Sequence, residues 1–166
     1  NSKKVLDISA GWGGRMLGAM ACDIDYTGFD TNLTLAEPYK KIIAAYPHSG
    51  TCKLITQDSS TVDYSKYDYD TVFTSPPYFM LEKYEHMPAY TSKADFNKKY
   101  WQPVVMNSWA NLKAGGYYIL NCPAVMGGTA AEYIGRAADE VIPYYISSRV
   151  KDGKRRFENV YVWHKE

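Results

Sequence analysis

Apolar residues along this chain fall into two alternating rhythms. Short apolar or β-branched runs, KKVLDIS (3–9), DYTGFD (25–30), CKLITQD (52–58), TVFTS (71–75) and YYILNCP (117–123), are bounded by glycine, proline or acidic residues and read as strands. Between them the spacing becomes helical. RMLGAMA (15–21) follows the tight turn AGWGG, and TNLTLAEPYKKIIAAY (31–46) carries Thr31 or Asn32 as a cap with Glu37 and Pro38 in its first turns. In DFNKKYWQPVVMNSWANLK (95–113), Trp101, Val105, Trp109 and Leu112 recur at helical intervals, while Pro103 predicts a kink or a helix start and AGG a glycine cap. TAAEYIGRAADEV (129–141) reads as a further helix. YYISSRV (144–150), the turn KDGK and ENVYVWHK (158–165) read as a hairpin with Asp-Gly at its tip.

Strands alternating with helices predict an α/β fold with a mostly parallel sheet, and the terminal hairpin requires one antiparallel strand at or near an edge. No internal repeat or linker divides the chain, so residues 1–166 are expected to form one domain. In such sheets ligands bind beyond the carboxyl ends of the strands. The stretch 76–94, poor in periodicity and rich in Tyr, Met and charge, is of the length that is usually either functional or mobile.

Composition narrows the classes. A hydrophobic fraction of 46% with 22% charged residues is that of a soluble globular protein, and no apolar run approaches the roughly 18 residues of a membrane span. The start, NSKKVLDIS, shows neither an initiator Met nor a secretory leader, as an excised fragment would. Cys22, Cys52 and Cys122 form no CxxC and sit in apolar stretches, so all three are expected to pack in the core of a cytoplasmic protein. His48, His86 and His164 lack metal-ligand spacing, and no metal is expected. A net charge of +1 means that any nucleic-acid contact must come from local patches.

The chemistry concentrates at four strand ends. In LDISAGWGG, glycines 11, 13 and 14 allow close backbone approach to a ligand, and Asp7 is placed to receive a ligand's charged amine. Asp30 closes the second strand, where a carboxylate accepts both hydroxyls of a ribose. Asp58 closes the third. The glycine spacing departs from GxGxxG, because Met16 stands at the third position, and this counts against a nicotinamide dinucleotide.

At the end of the fourth strand stands Ser75-Pro76-Pro77-Tyr78. This stretch resembles the [DNS]-P-P-[YFW] signature of enzymes that methylate exocyclic amines, and chemistry explains the residue types. The lone pair of an aromatic amine is delocalised into its ring, so such a site must draw the nitrogen toward tetrahedral geometry by accepting hydrogen bonds from both N–H groups. Ser75 and the carbonyl of Pro76 supply two acceptors, and the two rigid prolines hold them in an alignment worth roughly 7 kcal/mol in ideal cases. The resemblance implies that Tyr78 stacks on a base rotated out of its duplex, at roughly 1–3 kcal/mol per stacked base.

With the glycine loop and the acids in chain order, this pattern resembles the S-adenosylmethionine-dependent DNA amino-methyltransferases, from about Val5 to Pro123 and more loosely to the end. The resemblance implies a Rossmann-like fold with a mostly parallel seven-stranded sheet, a C-terminal antiparallel hairpin and helices on both faces. It implies that Asp7, Ser9, Ala10, Gly11, Gly13, Asp30, Thr31, Asp58 and Ser59 hold S-adenosylmethionine, Asp58 by the adenine amine, and that Ser75, Pro76, Pro77 and Tyr78 are catalytic. The expected substrate is DNA with the target base flipped out, giving N6-methyladenine or N4-methylcytosine. The carbon-5 cytosine enzymes are excluded, since no Pro-Cys stands at this site. Phe79 and the basic turn with Lys151, Arg155 and Arg156 are the expected nucleic-acid contacts.

The family's upstream motif has no place in a chain starting at Asn1, and no target-recognition domain is visible. A fragment, a small enzyme of low specificity, or a chain that borrows a specificity subunit are the three forms this leaves. An RNA guanine amine, a protein glutamine amide, and a non-catalytic cofactor- or nucleic-acid-binding role are the alternatives.

Overall fold

The computed structural model describes residues 2–79, 86–145 and 157–166. Seven strands form one sheet: β1 (Lys4–Asp7), β2 (Asp25–Asp30), β3 (Cys52–Thr56), β4 (Thr71–Thr74), β5 (Tyr117–Cys122), β6 (Glu140–Tyr145) and β7 (Phe157–His164). Their order is β3-β2-β1-β4-β5-β7-β6. β1 to β5 run parallel, and β7 lies antiparallel to both β5 and β6. β6 therefore points the same way as β1 to β5, and β7 begins at the edge where they end. The order reverses between β1 and β4, which is the switch point at which sheets of this kind leave a crevice.

Alternation along the strands sorts side chains to two faces. Leu6, Phe29, Val72, Tyr118, Leu120 and Trp163 are fully buried and pack with Trp101, Val104 and Val105. Each such side chain contributes roughly 1.5–3 kcal/mol by leaving water. The helices on this face are α3 (Lys93–Phe96), α4 (Gln102–Asn111) and α5 (Ala124–Ile134). On the other face, Tyr26 meets Met16, Ala19 and Met20 of α1 (Gly14–Ala21) and Tyr39 of α2 (Ala36–Ala45). Phe73, Ile119 and Val162 stand in one cross-strand row that belongs to neither core, and Phe73 is exposed.

Several boundaries differ from those the spacing predicts. α3 and α4 are joined through a wide π turn, Asn97–Trp101. Pro103 sits at the start of α4, and its ring would clash with the carbonyl of residue 99 in a regular helix, so the widened turn accommodates it. That helix stops at an extended Leu112 rather than at a glycine cap; Gly115, with φ +75°, turns the chain into β5 instead.

α5 begins five residues earlier than expected. Gly127 and Gly128 argue against a helix by propensity, yet Gly127 belongs to it because a Cβ there would lie 2.4 Å from the ring of Tyr161. The helix ends at Gly135 with φ +87°, so the expected stretch 136–141 is connector and the start of β6. The rest of the predicted strand YYISSRV, after Tyr145, and the turn KDGK lie outside the described residues. At the start of α2, Asn32 rather than Thr31 caps a short 3-10 turn, Leu33–Leu35, by accepting from the Thr34 amide at 3.0 Å.

Candidate active site

The carboxyl ends of β1, β2, β3 and β4 surround a cavity of about 1000 Å³. Its walls include Ser9, Ala10, Gly11, Asp30 and Thr31 on one side, Asp58 and Ser59 on a second, and Ser75, Pro76, Pro77 and Tyr78 on a third. The fold thus brings the three sequence-separated groups into one space.

Gly11 and Gly13 adopt φ of +55° and +88°, the left-handed region that favours glycine. Gly13 lies off the cavity wall; it starts α1, and a Cβ there would press on the Tyr39 ring at 3.4 Å. The Tyr39 hydroxyl in turn donates to the Ala10 carbonyl at 3.1 Å, which fixes the loop over α2.

Asp7 corrects an expectation. Its side chain is 0% exposed and does not reach the cavity. The carboxylate accepts from Arg15 Nε at 2.6 Å, Tyr26 Oη at 2.7 Å, Thr74 Oγ1 at 2.8 Å and the Ser9 amide at 3.1 Å. A buried carboxylate needs such partners, and with these four it has no position left for a ligand's amine. The cavity meets Arg15 instead. Burial works against charge on that guanidinium, but the Asp7 carboxylate outweighs it and holds the proton above the usual arginine range. Tyr26 is pushed far up by burial and then by Asp7, so its phenol remains a donor.

Asp30 faces the cavity in a fixed orientation. One oxygen accepts from the Gly11 amide and the other from the Asn32 amide, both at 2.9 Å. Each oxygen keeps a further lone pair, as a diol-binding carboxylate requires. Asp58 Oδ1 accepts from the Ser60 amide and hydroxyl at 2.8 Å, capping a 3-10 turn, while Oδ2 has no partner among the described residues. Ser59 is 4% exposed, and its hydroxyl is committed to the Ile8 carbonyl, so only its backbone is available to a ligand.

The SPPY segment is tied to the glycine loop. The Ser9 hydroxyl donates to the Ser75 carbonyl at 2.8 Å, so Ser9 joins the two motifs. Pro76 is buried, and its carbonyl receives no hydrogen bond from the described residues. Ser75 Oγ lies 3.1 Å from Tyr78 Oη, which is 2.8 Å from Glu158 Oε2 and 3.3 Å from the Asn121 carbonyl. Tyr78 is half-buried and anchored by its hydroxyl. Phe79 turns away from the cavity and packs against Phe96 at 5.4 Å between ring centroids, inside an aromatic cluster with Tyr90 and Tyr100. Lys151, Arg155 and Arg156 lie outside the described residues.

Other residues on the wall escaped the sequence reading: Trp12, Arg15, Tyr100, Asn121 and Glu158. Glu158 was legible in principle, because the start of an antiparallel strand falls at the same edge as the ends of parallel ones. Trp12, in the glycine loop, is 83% exposed. Of the three thiols expected in the core, only Cys122 is buried; Cys52 is partly covered and Cys22 is exposed. Burial, with the Glu158 carboxylate adding to it, pushes the Cys122 thiol up to about 12. Among the described residues no three His, Cys, Asp or Glu side chains cluster as a metal requires, and no helix is long and apolar enough to cross a membrane.

Sheet order and cavity together define the Rossmann-like methyltransferase fold, and comparison with solved structures agrees. TrmN from Thermus thermophilus superposes with a TM-score of 0.68 at 14% identity, covering 99% of this chain and 44% of that one. The T. thermophilus 16S rRNA N2 G1207 methyltransferase RsmC, solved with AdoMet and guanosine, gives 0.62 at 17% identity, covering 99% and 38%. An rRNA methylase from Streptococcus thermophilus gives 0.62 at 10%, covering 99% and 87%. The chain therefore spans less than half the length of the first two. No protein-family model matches the chain, and no curated protein matches it in sequence.

Proposed function

We propose that residues 1–166 act as one catalytic domain that transfers a methyl group from S-adenosylmethionine to the exocyclic amine of a nucleobase, with adenine N6 or cytosine N4 of DNA as the target. The observation that supports this reading is the convergence of Asp30, Asp58 and the Ser75–Tyr78 segment on one cavity. Fold alone does not select an acceptor.

The donor set fits the cofactor. Asp30 keeps lone pairs for a ribose diol, Asp58 keeps Oδ2 for an adenine amine, and Arg15 presents a cation for a carboxylate. When bound, the cofactor supplies an electrophilic methyl group. The protein's part is to place the amine. The Pro76 carbonyl and Ser75 Oγ accept its two N–H groups, which localises the nitrogen lone pair, and Tyr78 flanks the ring. Cys122, buried and held as a thiol, takes no part as a nucleophile. A reducing cytoplasm suits the exposed Cys22. Lys151, Arg155 and Arg156 belong to this reading as phosphate contacts, and a specificity subunit or further domain would supply sequence recognition.

RsmC, solved with guanosine, supports a second reading, in which the acceptor is the amine of an RNA guanine. The division of roles is tested by titration calorimetry and turnover together. Ser75→Ala leaves S-adenosylmethionine affinity within about twofold and lowers kcat by roughly tenfold or more, whereas Asp30→Ala, which loses both charged hydrogen bonds to the ribose diol, weakens the cofactor by roughly 100-fold. Equal loss of cofactor binding in both variants would overturn it.

A further inference from the structure

The Tyr78 hydroxyl has one proton and three oxygens within reach. Glu158 Oε2 is nearest at 2.8 Å, Ser75 Oγ lies at 3.1 Å and the Asn121 carbonyl at 3.3 Å. An ionised carboxylate only accepts, and a charge-assisted bond is about twice as strong as a neutral one, so the proton lies on the Glu158 side. Burial first, with the neighbouring Glu158 carboxylate adding to it, outweighs the opposing hydrogen bond with Ser75 and pushes the Tyr78 phenol well above its ordinary range, so the hydroxyl stays intact. The Ser75–Tyr78 contact then has one consistent polarity: Ser75 donates and Tyr78 accepts. Ser75 Oγ is left with its lone pairs toward the cavity.

We infer that Glu158 orients this chain, Ser75 to Tyr78 to Glu158, as a relay that makes Ser75 an acceptor for the target amine and then carries away that amine's proton. The inference rests on the methyl-transfer reading above. The atoms balance as follows. The amine lone pair forms the N–C bond while the S–C pair stays on sulfur, leaving the substituted nitrogen with one proton too many. That proton passes to Ser75 Oγ as the Ser75 proton passes to Tyr78 Oη and the Tyr78 proton to Glu158 Oε2. A neutral methylamine and a protonated Glu158 result. Glu158, only partly buried, returns its proton to water. In this relay Glu158 acts on the amine through Tyr78 and Ser75 and is a positioning residue.

Two measurements test it on the full chain. In protein labelled with 13Cζ-tyrosine, the Tyr78 resonance, assigned by its loss in Tyr78→Phe, moves in Glu158→Gln. An unmoved resonance would overturn the relay whatever the activity. In steady-state methylation, Glu158→Gln lowers kcat by roughly 10–100-fold with the KM for nucleic acid and the affinity for S-adenosylmethionine nearly unchanged, and adding Tyr78→Phe lowers kcat no further. Full kcat in Glu158→Gln, a change confined to KM, or additive losses would each overturn it. A wild-type chain that methylates no nucleobase overturns the functional reading instead, and the resonance still decides the hydrogen-bond chain.

Discussion

Removing Arg15 tests how the glycine loop is held. Its guanidinium faces a carboxylate that is fully buried, at 2.6 Å, and its own side chain is 24% exposed. Breaking a buried pair by deleting one partner costs about 3–5 kcal/mol. Two structural details lower that figure. Water reaches the vacated site, and Asp7 keeps Tyr26, Thr74 and the Ser9 amide as donors. Arg15→Ala is therefore expected to cost about 2–4 kcal/mol at neutral pH, a large share of a typical folding free energy. For a chain of this size that is a fall in Tm of roughly 5–15 °C. Urea unfolding followed by tryptophan fluorescence gives the free energy, with circular dichroism for Tm. The double variant Asp7→Asn/Arg15→Leu should lose less than the sum of its singles, because it strands no charge. A cost below about 1 kcal/mol for Arg15→Ala, with additive singles, would refute the view that Asp7 is structural and that Arg15 neutralises it.

Three further outcomes follow from the same structure. At pH 8 a thiol reagent should label Cys22 rapidly and Cys122 only on unfolding, because Cys122 is buried with its thiol pushed up to about 12; equal rates read by mass spectrometry would contradict this. Gly127→Ala should destabilise by up to about 2 kcal/mol in urea titration, since the new Cβ meets the Tyr161 ring and an overpacking cost of about 1–3 kcal/mol outweighs the gain of about 1 kcal/mol in helix propensity; a stabilised variant would contradict it. Asp68 bonds both Lys113 and Lys4, which hold its folded-state pKa down to about 2, below the roughly 3.9 of an unfolded chain. Its contribution is therefore complete above about pH 4 and lost as pH falls through 2, so the small Tm difference between wild type and Asp68→Asn should close over that interval rather than near neutrality.

Much of the framework was legible because strand ends coincide with chemical punctuation. Asp7, Asp30, Asp58 and Ser75 each stand at or just past the last apolar residue of a strand, and a parallel sheet brings such ends to one edge. The loop glycines were legible for the same local reason. Helix limits were not, where tertiary packing overrode propensity: Gly127 is helical because of a ring on β7, and Pro103 is tolerated because a π turn widens ahead of it. Asp7 and Glu158 show the limit most clearly. Position in the motif gave Asp7 a ligand, whereas four internal donors occupy it; Glu158 reaches the site only through the β5–β7 pairing, a contact between residues 80 apart in sequence from Tyr78.

The central claim is that this cavity methylates a base amine. Incubating the chain with methyl-labelled S-adenosylmethionine and, in parallel, unmethylated duplex DNA or RNA, then digesting to nucleosides for mass spectrometry, tests it most directly. Label in N6-methyladenine or N4-methylcytosine from the DNA arm is the predicted result, and label in N2-methylguanine from RNA would move the claim to the second reading. Cofactor binding with no labelled nucleoside from either arm would contradict it.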